Sequence, residues 1–222
     1  MKKTVFLTLV IFTVVSVFAV ANTKAMGETP PPDVVQAASD GLAFLLKNLS
    51  PQSLQRVGFS TQNEIESATL GRGFQVLTIP PTAVVSQDAV IDRQSLIQTD
   101  TWEFLIVANG KALSLLKVAL MNGRWTAVGL GSSGLAMELQ SILEVWPISR
   151  GYEFRLVHVY QAGACFVEGA RRGQTFGLIP TASARLAMGL KNRAFDPGDS
   201  YDFSDAMRRV APAVRRNLQL DR

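Results

Sequence analysis

The chain is 222 residues long, 47% hydrophobic and 18% charged, with a formal net charge of +4. That apolar fraction is enough for a buried core, and it excludes wholesale disorder, a collagen-like repeat and a cysteine-stapled miniprotein. The lone Cys165 excludes an internal disulfide and a multi-cysteine zinc site, and the lone His158 excludes a histidine-rich metal centre, leaving carboxylates and carbonyls as the other ligands.

In chain order, Met1-Lys2-Lys3 gives a short positive head, residues 5–21 form an apolar run, and Ala19 and Ala21 make an A-x-A pattern before Asn22. Head, apolar stretch and small-residue site together read as a secretory signal peptide, residues 1–21. The rival reading is an uncleaved anchor, since a run of 17 residues sits at the lower edge of a membrane span. Removing residues 1–21 takes away Lys2 and Lys3 and no acid, so the net charge falls from +4 to +2. A general affinity for nucleic acid is therefore not implied, and the expected location is secreted or periplasmic. Residues 22–32, polar and ending in three prolines, read as a flexible linker before a single domain over 33–222.

Asp33 is placed to cap a helix whose Val34, Val35, Ala38, Leu42, Leu45 and Leu46 share a stripe. Ser50-Pro51 starts a second helix that Gly58 stops, and Ser60 opens a third, with Glu64 and Glu66 in its early turns, ending at Gly71. Residues 73–79 read as a strand closed by Pro80-Pro81. Residues 101–108, 111–120 and 124–130 are then three apolar-rich runs separated by Asn109-Gly110 and Asn122-Gly123. Asn-Gly supplies the positive φ angles of two-residue hairpin turns, and two in series specify an antiparallel meander. A helix over 135–145 follows, capped by Ser132 or Ser133 and stopped by Pro147. Residues 152–160 and 164–168 read as strands around a turn at Ala162-Gly163, and 175–179 as another. A last helix over 205–218 starts from Ser204 and is interrupted by Pro212. The predicted class is α+β: an antiparallel meander sheet packed against N-terminal helices and a C-terminal helix.

The stretch GFST…ATLGRGFQVLTI within residues 58–79 resembles a pattern of uncharacterised exported bacterial proteins, which implies export and no activity. Residues 74–83 and 176–184 echo each other, each running from an aromatic through Ile-Pro to small residues. A duplicated half-domain would need a sustained period, which two short matches do not supply.

Several motifs carry candidate chemistry. Gly129-Leu130-Gly131-Ser132-Ser133-Gly134 is a G-x-G-x-x-G between a strand and a helix, the context of a dinucleotide-binding turn. The preceding strand leaves a tight hairpin, however, and Glu153 falls at the start of the next strand, where a ribose-binding acid does not belong. The preferred reading is a serine-capped connection and no cofactor site. With a two-residue turn at Ala162-Gly163, Tyr160 lies opposite Cys165 and His158 opposite Val167, so His158 and Cys165 become diagonal neighbours. They are the candidate catalytic pair, nucleophile and base, although no third orienting residue or cysteine-hydrolase signature accompanies them. Asp196-Pro197-Gly198-Asp199 with Asp202 reads as a turn and not as a calcium loop, and no metal site is expected.

In the last helix Met207, Val210, Ala211, Val214 and Leu218 form one stripe, with Arg208, Arg209, Arg215 and Arg216 around the other side. That face is a solvated surface or a contact for anionic lipid or an acidic partner. Trp102, Trp125 and Trp146 are read as packing residues. The expectation that follows is an exported, non-catalytic protein that binds a small ligand or protein partner beside its sheet. The rivals are a secreted hydrolase using Cys165 and His158, and an envelope-associated protein held by its N terminus or its basic helix.

Overall fold

The computed structural model describes residues 29–86, 91–190 and 194–220. The expected signal peptide and residues 22–28 of the expected linker lie outside them. The fold is α+β. Seven strands form one sheet in the order β4-β3-β2-β1-β5-β6-β7. The strands are β1 (Thr69–Thr78), β2 (Ile97–Ala108), β3 (Lys111–Met121), β4 (Arg124–Gly131), β5 (Tyr152–Val159), β6 (Ala164–Arg171) and β7 (Gln174–Pro180).

The predicted meander is present. Asn109 and Gly110 have φ of 51° and 75°, and Asn122 and Gly123 have 51° and 77°, so both two-residue turns close β2 onto β3 and β3 onto β4 as the Asn-Gly pairs require. A second meander, β5–β6–β7, abuts the first through β1 and β5, which run parallel. Each half starts at the centre of the sheet and walks outward. The echoed segments end β1 and β7, the first strand of one half and the last of the other. They are therefore no duplication but the same local device, a strand closed by Ile-Pro and turned into a short helix, α4 (Pro81–Val85) after β1 and α6 (Ala182–Ala187) after β7.

Side chains alternate between the two faces of the sheet. On one face α1 (Pro32–Lys47) lays Val34, Ala38 and Leu42 on Trp102, Phe104 and Ile106 of β2 and Leu116 and Val118 of β3. Farther along that face, α4 and α7 (Phe203–Leu220) cover Leu77, Val157, Phe166 and Leu178 with Val84, Met207, Val210 and Val214. On the other face α5 (Ser133–Val145) packs Ala136, Leu139 and Ile142 on Phe74, Val76, Leu115, Leu156 and Val167. At Gly41 of α1 a Cβ would lie 2.0 Å from Ala127 Cβ of β4, so helix and strand meet there without room for a methyl group.

Several local expectations need correction. The first helix starts at Pro32, inside the expected linker, with Pro31 at its N-cap, and Asp33 Oδ1 accepts from the Val34 amide in the first turn instead of capping it. The second helix, α2 (Pro51–Leu54), ends in a 3-10 turn that Gly58 stops in the left-handed region as expected. The third, α3 (Gln62–Glu66), is capped by Thr61 through a reciprocal box with Glu64. It does not reach Gly71, which belongs to β1, because the chain is already paired with β2 from Thr69, which lies opposite Val107. The last helix begins at Phe203, and Asp202 Oδ1 accepts from the Ser204 amide and hydroxyl. It also runs through Pro212 uninterrupted. Pro212 and Arg208 both face solvent, so the carbonyl that loses its amide partner is open to water.

Candidate functional site

The expected two-residue turn at Ala162-Gly163 is replaced by a 3-10 turn over Tyr160–Ala162 closed by Gly163 in the left-handed region. The longer loop shifts the register, so that Val159 pairs with Ala164 and His158 pairs directly with Cys165, not with Val167. Cys165 Sγ lies 3.7 Å from His158 Nε2 and 3.8 Å from the Phe166 carbonyl oxygen. The sheet adds a partner that sequence spacing could not show. Glu103 of β2 places Oε1 3.8 Å from the same His158 Nε2. Lys117 sits directly across from Glu103 on β3.

Burial governs the protonation of this row. It pushes the Cys165 thiol well above its ordinary value, and the nearby carboxylates Glu103 and Glu138 add to the effect. Burial, helped by the charge on Lys117, lowers the His158 imidazole to about 4. Burial also raises Glu103, against the pull of Lys117. Each group is thus driven toward its neutral form. The Tyr160 ring stacks on His158, with centroids 5.5 Å apart and planes 26° apart, and remains 52% exposed. It forms an aromatic lip.

His158, Tyr160 and Cys165 line one wall of a cavity of 480 Å³. The opposite walls are the start of α5, with Ser132, Gly134 and Glu138, and the start of α6, with Thr181 and Ser183. The floor is braced by hydroxyls. The Cys165 amide donates to Ser183 Oγ at 3.0 Å, and Thr181 Oγ1 donates to the Cys165 carbonyl at 2.6 Å. Glu138 clamps α5 to α6, its two carboxylate oxygens accepting from the Ala182 amide at 3.0 Å and Oε1 pairing with Arg185 at 3.1 Å. The carboxylate facing the cavity therefore already has a cationic partner.

The glycine-rich turn, residues 129–134, meets the same cavity through Ser132 and Gly134. It is not a dinucleotide turn. Its strand, β4, is an edge strand paired antiparallel to β3 alone, whereas the nucleotide-binding geometry needs a parallel crossover. A Cβ at Gly129, Gly131 or Gly134 would meet nothing within 4 Å, so these glycines serve no close packing. Ser132 occupies the N-cap of α5 in the left-handed region, φ 60°, and its side chain does not cap the helix, contrary to the serine-cap expectation.

The remaining candidates separate from this site. Asp196 Oδ1 accepts from the Gly198 amide, a local turn, and among the described residues no group of three His, Cys, Asp or Glu side chains could hold a metal. On α7 the apolar stripe is buried in the core, Arg208 pairs with Asp205, Arg209 lies over the Tyr201 ring, and Arg215 donates to the Val85 carbonyl. Trp102 is buried and Trp125 packs, partly buried, against the same core cluster, but Trp146 is half-buried in an aromatic group with Tyr152 and Phe176. No helix among the described residues is long and apolar enough to cross a membrane. Compared with known family models, curated proteins and solved structures, the chain matches none.

Proposed function

We propose that this chain is an exported binding protein that holds a small, uncharged, planar polar ligand, of carboxamide type, in the cavity of His158, Tyr160 and Cys165. The observation that carries this reading is that an open cavity joins an aromatic lip to neutral hydrogen-bonding groups. The lip is His158 stacked on Tyr160, and the thiol and hydroxyls of Cys165, Ser183 and Ser132 carry no charge. A pocket that mixes an aromatic wall with a few placed polar groups orients a ligand through its edge and binds it through its face. A charged ligand would enter with no countercharge, since Glu138 is spent on Arg185 and the Ala182 amide.

The hydrolase reading has the 3.7 Å contact between Cys165 Sγ and His158 Nε2 in its favour. In a working pair, however, a third group holds the far nitrogen of the imidazole while the near one faces the nucleophile. Here Glu103 and Cys165 share Nε2, and burial disfavours the thiolate and imidazolium that such a pair must form. Iodoacetamide labelling separates the two readings. At pH 8 the native protein should be alkylated about 100-fold or more slowly than the urea-unfolded chain, and nicotinamide should slow it further. Rapid, stoichiometric labelling of native Cys165 at pH 6 would instead establish a reactive thiolate.

A further inference from the structure

A second cavity, of 660 Å³, opens at the far end of β5 and is lined by Trp146, Tyr152, Phe176, Arg171, Arg172 and Thr175, among others. It shares no residue with the His158 cavity. Its floor is aromatic. The Trp146 ring centroid lies 5.1 Å from that of Tyr152 and 5.4 Å from that of Phe176, and the Tyr152 and Phe176 rings meet edge to face at 6.0 Å. The indole N–H of Trp146 donates to the Pro197 carbonyl at 2.9 Å, fastening the loop that carries Gly198 and Ser200 to the cavity edge.

The rim is cationic. The Arg171 guanidinium lies over the Tyr152 ring, 5.0 Å from its centroid. Neither Arg171 nor Arg172 has a carboxylate partner among the described residues. The nearby Asp196 is engaged with the Gly198 amide.

The backbone at Arg172 sharpens the point. Arg171 pairs with Gln174, so Arg172-Gly173 is a two-residue hairpin turn, with φ of 51° and 77°. The other two such turns in the sheet have the same angles and place asparagine first, at Asn109 and Asn122. Asparagine tolerates the left-handed region because its short amide bonds the local backbone, and a long side chain gains no such compensation. Arginine at this position is a poor turn residue, and an observed strained residue beside a cavity argues for a role of its side chain.

The geometry points to a binding site for a carboxylate carried on a flat apolar body, with the body on Trp146, Tyr152 and Phe176 and the carboxylate between Arg171 and Arg172. Guanidinium groups match a carboxylate in plane and charge, and a partly desolvated aromatic floor strengthens that pairing.

Calorimetric titration with 2-naphthoate and with 2-naphthamide tests the assignment on the intact chain. The two share a ring and differ in charge. The carboxylate should bind about ten-fold or more tightly, and its advantage should shrink as salt is raised. Arg172→Asn should raise the melting temperature, because it restores the residue the other turns use, while erasing most of the preference for 2-naphthoate and leaving 2-naphthamide unchanged. Arg171→Gln should reduce that preference as well. Equal binding of the two probes, no binding of 2-naphthoate at millimolar concentration, or an Arg172→Asn variant that keeps the full preference would each overturn it.

Discussion

Replacing His158 by glutamine changes the pH dependence of stability by an amount that the site geometry fixes. The imidazole, 20% exposed at its side chain, is held near 4 in the folded chain against 6.5 when free, chiefly by burial. The unfolded chain therefore takes up a proton as pH falls through 6.5 while the folded chain resists until about 4. Stability present above 6.5 is lost across that window, and the gap is worth about 3 kcal/mol. Glu103 acts in the opposite sense. Its carboxyl is raised by burial, so the folded chain binds its proton first and gains stability as pH falls through the raised value. Subtracting the variant from the wild type removes the Glu103 contribution to first order and leaves that of His158. Urea unfolding at pH 7.5 and pH 4 should show the wild type losing about 3 kcal/mol more than His158→Gln. Equal losses in the two proteins would mean that the imidazole is solvated and that the site is not the neutral enclosure derived for it.

Three further outcomes follow from the packing and from the proposed export signal. Glu168, 1% exposed, pairs with Arg93 at 2.5 Å and with Arg155 at 2.5 Å. Glu168→Ala leaves the half-buried Arg155 guanidinium without its carboxylate and should cost about 3 kcal/mol in urea unfolding, with Glu168→Gln costing less. Gly41→Ala should destabilise by about 2 kcal/mol, although alanine is the better helix former by about 1 kcal/mol, because its methyl would overlap Ala127. Adding Ala127→Gly should return most of that loss, and a stabilised single variant would contradict the close approach. For the proposed export, mass spectrometry of the protein from its native host should give a chain starting at Asn22, and a full-length product would favour the anchored reading.

Much of the fold was legible because the chain punctuates itself. The Asn-Gly pairs at 109–110 and 122–123 fix two hairpins, and Pro147 and Gly58 stop helices where expected. The parallel contact between β1 and β5 was not legible, since it joins residues about eighty positions apart and no local pattern encodes it. The β6–β7 hairpin was not legible, for a physical reason. Arg172-Gly173 lacks the asparagine that marks the other two, and the small residues Gly169 and Ala170 hide the continuation of β6. His158 and Cys165 stood out as lone residues of their types, but their partnership depended on a turn length that Tyr160–Ala162 lengthens into a 3-10 turn. Glu103, Ser183 and the clamp of Glu138 on Arg185 belong to elements remote in sequence, so only the folded sheet assembles them.

Amide chemical-shift mapping with three pyridines of like shape tests the neutral cavity most directly: nicotinamide, nicotinate and 3-(aminomethyl)pyridine. Nicotinamide should move the amides of Gly134, Gly163, Cys165 and Ser183 in a saturable way, and more strongly than either charged analogue. Shifts at those amides that favour a charged analogue, or no saturable shift with any of the three, would contradict the account.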